Sequence, residues 1–312
     1  MAPSSGGRCT KGPSAIPELP EVETVRRELA PWITGRTVLR AERVAAPPGP
    51  KYAGLERLAG QRIASVGRRG KFLILPLERS SATHQASGER LELIVHLGMT
   101  GVVRHTPPSA HLRVRLALDG PEPTTLYFQD VRRFGRFTVV PAGDYRALPT
   151  LAALGPDALD AAFTVDAFRR ALAASRAPVK TLLLSQRPVA GVGNIYADEA
   201  LWRVGVHPLR PAKALSRAQV EALHGAIRDV LEESVALQGT TLYDYRTVNG
   251  EVGAFLERLA VYGHAGEPCA RCGTLVERLV VGQRGTHVCP RCQVAPRRRR
   301  NAARTRKNTS RT

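Results

Sequence analysis

The sequence predicts an α+β protein of several domains: an N-terminal antiparallel β-sandwich or barrel with a leading helix, a helical middle, and a small C-terminal cysteine module. Three observations carry this. Between Thr37 and Val140, short apolar stretches alternate with Gly, Pro and Ser clusters, as the strands of an antiparallel sheet do. After about Pro149 the apolar residues adopt the 3.6-residue spacing of helices. Near the end, two CxxC pairs stand sixteen residues apart. The 312 residues suffice for two or three domains with at least one sizeable core, and 43% hydrophobic residues is a globular composition. No apolar run approaches the ~20 residues of a membrane span.

The elements follow in order. Residues 1–15 carry no apolar period, no acid and no hydrophobic stretch of the kind a secretory signal needs. Their basic, Ser-containing make-up suits a disordered extension and weakly resembles an organellar transit peptide. A short helix comes next: Pro20 fits a first helical turn, Glu21 and Glu23 favour its positive end, and Val22, Val25 and Leu29 share a face. Strands are expected within 38–44, 61–67, 71–77, 91–99, 111–118, 125–130 and 136–140. Helices are expected over 164–174 and over 195–204, the latter opened by the Gly-rich turn 190–194. A third begins with a capping box, Ser216 with Gln219, ahead of Val220, Leu223, Ile227, Leu231 and Val235. Residues 239–264 read as loop. The cysteine module follows, with Gln283-Arg284-Gly285-Thr286 expected at a hairpin tip.

The charge narrows the partner. The net charge is +19. The stretch 296–312 holds eight Arg or Lys and no acid, and Arg8 and Lys11 add two more; without these ten, residues 16–295 still carry +9. A basic folded body points to a polyanion, most often nucleic acid, although a GC-rich genome also enriches Arg. The tail is expected to add sequence-independent affinity for DNA. Four of the five cysteines cluster and Cys9 stands apart, which is not a secreted disulfide framework and fits a reducing cytoplasm.

Four constellations carry chemistry. Cys269, Cys272, Cys289 and Cys292 have the spacing of one tetrahedral zinc site; four thiolates leave no open position, so the metal is expected to be structural. A pair of redox dithiols is the alternative. Gly191-Val192-Gly193-Asn194 opens a helix, where free N–H groups can hold a phosphate or where Asn simply caps a tight turn. Asp130-Val131-Arg132-Arg133-Phe134-Gly135, together with Met99, offers side chains that could fill the gap left by an extruded base, or else pack in a core. Glu18 and Glu21, three apart at the start of the first helix, could be an acid/base pair or partners of the helix dipole.

Taken together these motifs resemble the bacterial formamidopyrimidine-DNA glycosylases, a group that also contains endonuclease VIII. The resemblance rests on PELPEVETVRREL at 17–29, RRGKFLIL at 68–75, HLGMTG at 96–101, DVRRFG at 130–135, VAGVGNIYADEAL at 189–201, VYGHAGEPCARCG at 261–273 and GQRGTHVCPRCQ at 282–293, in family order over almost all of residues 17–293. It implies a catalytic β-sandwich over 17–149, a helix-two-turn-helix DNA-binding domain over 150–259, a zinc finger over 260–293, and disordered ends at 1–16 and 294–312. It also implies a monomeric, cytoplasmic, nucleoid-associated repair enzyme that binds damaged double-stranded DNA and one structural Zn2+.

The resemblance assigns roles residue by residue. Pro17 is the nucleophile, attacking the sugar C1′ to give a Schiff base, and Glu18 is the adjacent acid/base. Lys71 serves β-elimination, and Arg284 grips phosphates and serves δ-elimination. Met99, Arg132 and Phe134 fill the void, while His96, His111, Lys180 and Asn194 contact the DNA backbone. Residues 241–253 correspond to a loop that closes over 8-oxoguanine. One departure matters. Pro17 is not the second residue, and an internal proline nitrogen is an amide whose delocalised lone pair cannot attack. The expectation is that translation starts at codon 16, read as Met, and that Met removal exposes Pro17. His264 stands where the family usually has Arg. A non-catalytic DNA-binding protein, if Pro17 is not terminal, and an oxidised-pyrimidine glycosylase are the alternatives.

Overall fold

The computed structural model describes residues 17–79, 89–240 and 246–296. The expected N-terminal extension, residues 1–16, most of the basic tail and the first part of the 241–253 loop lie outside the described residues. Helix α1 (Leu19–Ile33) opens the chain. Val22, Val25, Leu29 and Ile33 enter the sandwich core, whereas Leu19 enters the core of the helical domain. The Leu19 N–H donates to Gly191 O at 3.2 Å, so the chain segment next to Pro17 is anchored to both domains.

The strands are β1 (Val38–Arg43), β2 (Gln61–Ile63), β3 (Gly67–Arg69), β4 (Phe72–Arg79), β5 (Leu91–His96), β6 (Gly101–Arg104), β7 (Leu112–Leu118), β8 (Thr125–Asp130) and β9 (Arg136–Pro141). They form two antiparallel sheets, β1-β7-β8-β6 and β2-β4-β5-β9, with β3 paired to β4. Leu73, Leu75, Leu77, Leu91, Leu93 and Val95 of one sheet meet Val114, Leu116, Leu118, Leu126 and Phe128 of the other. The run Phe72–Leu77 is apolar on both faces for a reason. Its alternate residues Phe72 and Ile74 pack beneath Leu148, Leu151, Leu154 and Ala190, where the helical domain covers the sheet. The segment expected as one strand over 61–67 divides into β2 and β3, and the four-residue β6 is too short to leave a periodic signal.

The helical domain holds α2 (Pro149–Ala152), α3 (Val165–Ala173), α4 (Val179–Leu184), α5 (Asn194–Arg203) and α6 (Arg217–Ala236). Thr164 caps α3, its hydroxyl accepting from the Ala167 N–H at 3.2 Å. Ser216 and Gln219 cap α6 reciprocally, at 3.2 and 3.1 Å. Helix α5 is the hub: seven consecutive residues, Ile195–Leu201, are buried. The zinc module is a hairpin of β10 (Glu277–Val281) and β11 (Arg284–Val288). Its tip is the two-residue turn Gly282-Gln283, both at positive φ (55° and 63°), the geometry that closes tight hairpins. Arg284 therefore begins β11 opposite Val281, one step inside the expected tip. Among the described residues no helix is long and apolar enough to cross a membrane.

Candidate active site

A cavity of about 360 Å³ opens where the domains meet, lined among others by Glu18, Lys71, Met99, Asn194, Tyr262 and Arg284. Five of the sequence-predicted residues thus share one space, delivered by the entry to α1, the β3–β4 turn, the β5–β6 turn, the start of α5 and the start of β11. Pro17, next to Glu18, is buried at the same entry.

The two glutamates of α1 have different fates. Glu21 is fully engaged: it accepts from the Glu18 N–H at 2.8 Å, the Tyr196 hydroxyl at 2.6 Å and the Thr240 N–H at 2.7 Å. It holds the start of α1 to α5 and to the segment that follows α6. Glu18 is 1% exposed. Its Oε1 accepts from the Ile195 N–H at 3.0 Å, and its Oε2 has no partner among the described residues. Burial is the largest influence on this carboxyl and, against the opposing pull of Lys71, raises it to about 7. A carboxyl at that value can give or take a proton near neutrality. The Ile195 N–H, at the start of α5, is therefore taken by an internal carboxylate, and that donor is not free for a phosphate. A Cβ at Gly193 would come within 3.0 Å of Glu18 Cδ and Oε1 and of Lys71 Nζ, so glycine lets both side-chain ends sit where they do.

Lys71 follows a clamped turn. Arg68, its side chain only 8% exposed, pairs with Asp157 at 2.6 Å and with Glu23 at 3.0 Å. Asp157 also accepts the Gly70 N–H at 2.7 Å, so the helical domain fixes the loop that carries Lys71. Burial lowers the Lys71 ammonium from its usual range, with Glu18 and Glu21 opposing. His96 stands opposite Phe72 in the β4–β5 register, and the two rings are 4.5 Å apart. Burial, helped by Lys71 and Arg136, pushes its imidazole down to about 4. Its Nδ1 accepts the Gly98 N–H at 3.2 Å, which leaves Nε2 as the protonated nitrogen. Any phosphate contact by His96 would be made by a neutral donor.

The Asp130–Gly135 turn is built around a fully buried Asp130. That carboxylate accepts from the Thr100 hydroxyl at 2.6 Å and the Gly135 N–H at 2.7 Å, and the Asp130 carbonyl accepts from Arg113 at 2.8 Å. Phe134, 49% exposed, is not a core residue. The Arg132 guanidinium lies 4.9 Å from its ring centroid, a stacked pair presented to solvent. His111 is exposed at φ 60°, its carbonyl accepting the Asp130 N–H at 3.1 Å. Arg132 and Phe134 share the β8–β9 turn and His111 lies beside it, just before β7; none of the three lines the cavity.

Lys180 requires a correction. Expected at the DNA backbone, it has 0% exposure. Its ammonium pairs with Asp198 at 2.6 Å and donates to Thr286 Oγ1 at 2.8 Å and Gly285 O at 3.3 Å. All three partners lie inside the protein, so in this structure the ammonium is sealed from the surface where a phosphate would lie. Asn194 spends one donor on Gly285 O at 3.0 Å, while its Oδ1 has no partner among the described residues. His264, where the family usually has Arg, pairs with Glu267 at 2.7 Å.

The four cysteine sulfurs lie within 4.8 Å of one another. Trp202 Nε1 donates to Cys269 Sγ at 3.4 Å and the Cys292 N–H to Cys289 Sγ at 3.4 Å. Four clustered sulfurs with donors directed at them fit a structural Zn2+, held by Cys269, Cys272, Cys289 and Cys292. Sequence reasoning did not single out Tyr262, which lines the cavity, nor Arg68, Asp157 and Asp198. Tyr262, Arg68 and Asp198 stand within the quoted motifs at 261–273, 68–75 and 189–201; Asp157 signals only through partners distant in sequence.

Family models match along the chain: the formamidopyrimidine-DNA glycosylase N-terminal domain over residues 16–137, the formamidopyrimidine-DNA glycosylase H2TH domain over 154–246, and a zinc finger found in FPG and IleRS over 266–294. A formamidopyrimidine-DNA glycosylase from Thermus thermophilus is 48% identical over 280 residues, covering 89% of this chain and 98% of that protein. The crystal structure of the MutM (Fpg) protein from Thermus thermophilus superposes with a TM-score of 0.79 at 48% identity, covering 89% of this chain and 98% of that one. A structure of MutM in complex with DNA containing carbocyclic 8-oxo-G superposes with a TM-score of 0.76 at 34% identity, covering 89% of this chain and all of the other.

Proposed function

The chain belongs to the formamidopyrimidine-DNA glycosylase family, and on that premise we propose that it is a base-excision-repair enzyme that removes oxidised purines from duplex DNA and then cleaves the abasic site by β,δ-elimination. The observation that carries this reading is the Glu18 carboxyl, buried, raised to about 7 and, among the described residues, without a partner on one oxygen, at a cavity shared with Lys71 and Arg284.

In this proposal the damaged nucleotide turns out of the duplex at a cost of a few kcal/mol, which Met99, Arg132 and Phe134 offset by filling the gap. The Pro17 nitrogen attacks the sugar C1′ as the bond to the base breaks; the base leaves with the bonding electrons and takes up the proton that the Pro17 nitrogen releases. Glu18 protonates the sugar ring oxygen as the ring opens, giving a Pro17 iminium. Lys71 contacts phosphate and serves β-elimination, which expels the 3′ phosphate oxygen. Arg284 grips the phosphates flanking the lesion and serves δ-elimination. Burial of Lys71 beside Glu18 supports a proton-transfer role for both. His96, His111 and Asn194 are assigned to the DNA backbone, and Lys180 is assigned to the support of Arg284. The zinc holds the hairpin and takes no part in the reaction. Every group assigned a step comes from one chain, so a monomer suffices.

The nucleophile imposes a condition: the Pro17 nitrogen must be a free secondary amine, which an amide is not. The active form therefore begins at Pro17. Borohydride added during turnover of 8-oxoguanine paired with C traps the iminium, and a covalent protein–DNA product is expected. A protein that binds the same duplex and yields no adduct is a DNA-binding protein rather than this enzyme.

A further inference from the structure

We propose that Asp198 and Lys180 are positioning residues that fix Arg284 at the cavity and so control the step that Arg284 serves; this rests on the reading of Arg284 as the δ-eliminating, phosphate-gripping group. Both side chains have zero exposure and pair at 2.6 Å. From that pair, bonds run to three consecutive residues of β11. Lys180 donates to the Gly285 carbonyl and the Thr286 hydroxyl, and Asp198 Oδ2 accepts the His287 N–H at 2.9 Å. Asn194 adds a second donor to the Gly285 carbonyl. These residues directly follow Arg284, whose own side chain is exposed at the cavity.

The chemistry of the pair argues for this role. A fully buried ion pair is dearly desolvated, and apolar side chains of the same volume would pack α4 against α5 as well or better. What apolar side chains could not supply is a set of directed bonds to a neighbouring backbone. Here the bonds pin the first residues of a hairpin strand whose far end is held by the cysteines. Arg284 is thereby placed by two rigid helices rather than by its own loop, which is how a reactive group is kept within the fraction of an ångström that catalysis needs.

The test compares Asp198→Asn and Thr286→Val with Arg284→Ala and with each double variant, in the zinc-loaded active protein. Zinc content and borohydride trapping on 8-oxoguanine DNA report the fold and the Pro17 step; the ratio of δ- to β-elimination product on an abasic duplex reports Arg284. The expected result is a δ/β ratio lowered about tenfold in Asp198→Asn and about threefold in Thr286→Val. Trapping should remain within about twofold and zinc should be unchanged, with neither double variant worse than Arg284→Ala alone. Effects that multiply with Arg284→Ala, or trapping lost in step with the ratio, overturn the inference. If Arg284→Ala leaves the ratio unchanged, the reading of Arg284 itself is wrong and the inference falls with it. Thr286→Val, which keeps shape and charge, decides the matter if Asp198→Asn does not fold.

Discussion

Replacing Gly193 with Ala tests whether the glycine-rich turn exists for close approach or for phosphate. An added Cβ would come within 3.0 Å of Glu18 Cδ, Glu18 Oε1 and Lys71 Nζ, whereas ordinary carbon contacts begin near 3.5 Å. The carboxylate and the ammonium must therefore retreat by on the order of 1 Å, a misplacement that can cost about 100-fold in rate. Overpacking at this buried junction should also cost about 1–3 kcal/mol of stability. The assay is single-turnover excision of 8-oxoguanine with borohydride trapping, alongside equilibrium binding to the same duplex and denaturant unfolding. Excision should fall about 100-fold with binding little changed. At Gly225 on α6 an added Cβ would meet nothing within 4 Å, so Gly225→Ala is the control and should stabilise the helix by roughly 0.5–1 kcal/mol. Wild-type excision in Gly193→Ala with weakened binding would refute the reasoning and favour the phosphate-cradle reading.

Three further outcomes are expected. The Glu18 carboxyl, raised by burial to about 7, is protonated below that value and loses its proton above it, while a terminal amine becomes nucleophilic above about 8. Single-turnover excision should then rise with pH, level off between those values and fall beyond, and Glu18→Gln should remove the alkaline fall; a variant that keeps that fall shows that another group causes it. Removing zinc by chelation or Cys292→Ser should displace Arg284 and weaken lesion binding about 10- to 100-fold; unchanged affinity in a zinc-free protein contradicts the placement of Arg284 by the hairpin. Phe134→Ala, at a half-exposed position, should change stability by less than about 0.5 kcal/mol while lowering discrimination between lesion and intact duplex; equal discrimination removes the wedge role.

Much of this was legible in the sequence, for physical reasons. Strands with one wet face announce themselves by alternation, helices by a 3.6-residue period, and a capping box marks the start of α6, so β7, β8, α3 and α6 stood out. The cysteine spacing defined its own cluster. Buried pairing was not legible. Glu18 meets Ile195 across 177 positions, and Lys180 meets Thr286 across 106. Nothing in either local sequence distinguishes a lysine that reaches solvent from one sealed against an aspartate. The same limit hid Asp157, which holds the Lys71 turn from the far domain, and α4, which at six residues is too short to show a period. Composition and spacing alone did not separate Glu18 from Glu21; their partners do, leaving one carboxyl at the cavity and binding the other into the scaffold.

The central claim is that a free Pro17 amine forms the covalent intermediate. The most direct measurement is mass spectrometry of the borohydride-trapped adduct from 8-oxoguanine DNA, with the modified peptide sequenced. The account predicts an adduct whose protein begins at Pro17 and whose modification lies on that nitrogen. An adduct on Lys71, or on a chain that still carries residues 1–16, would contradict it.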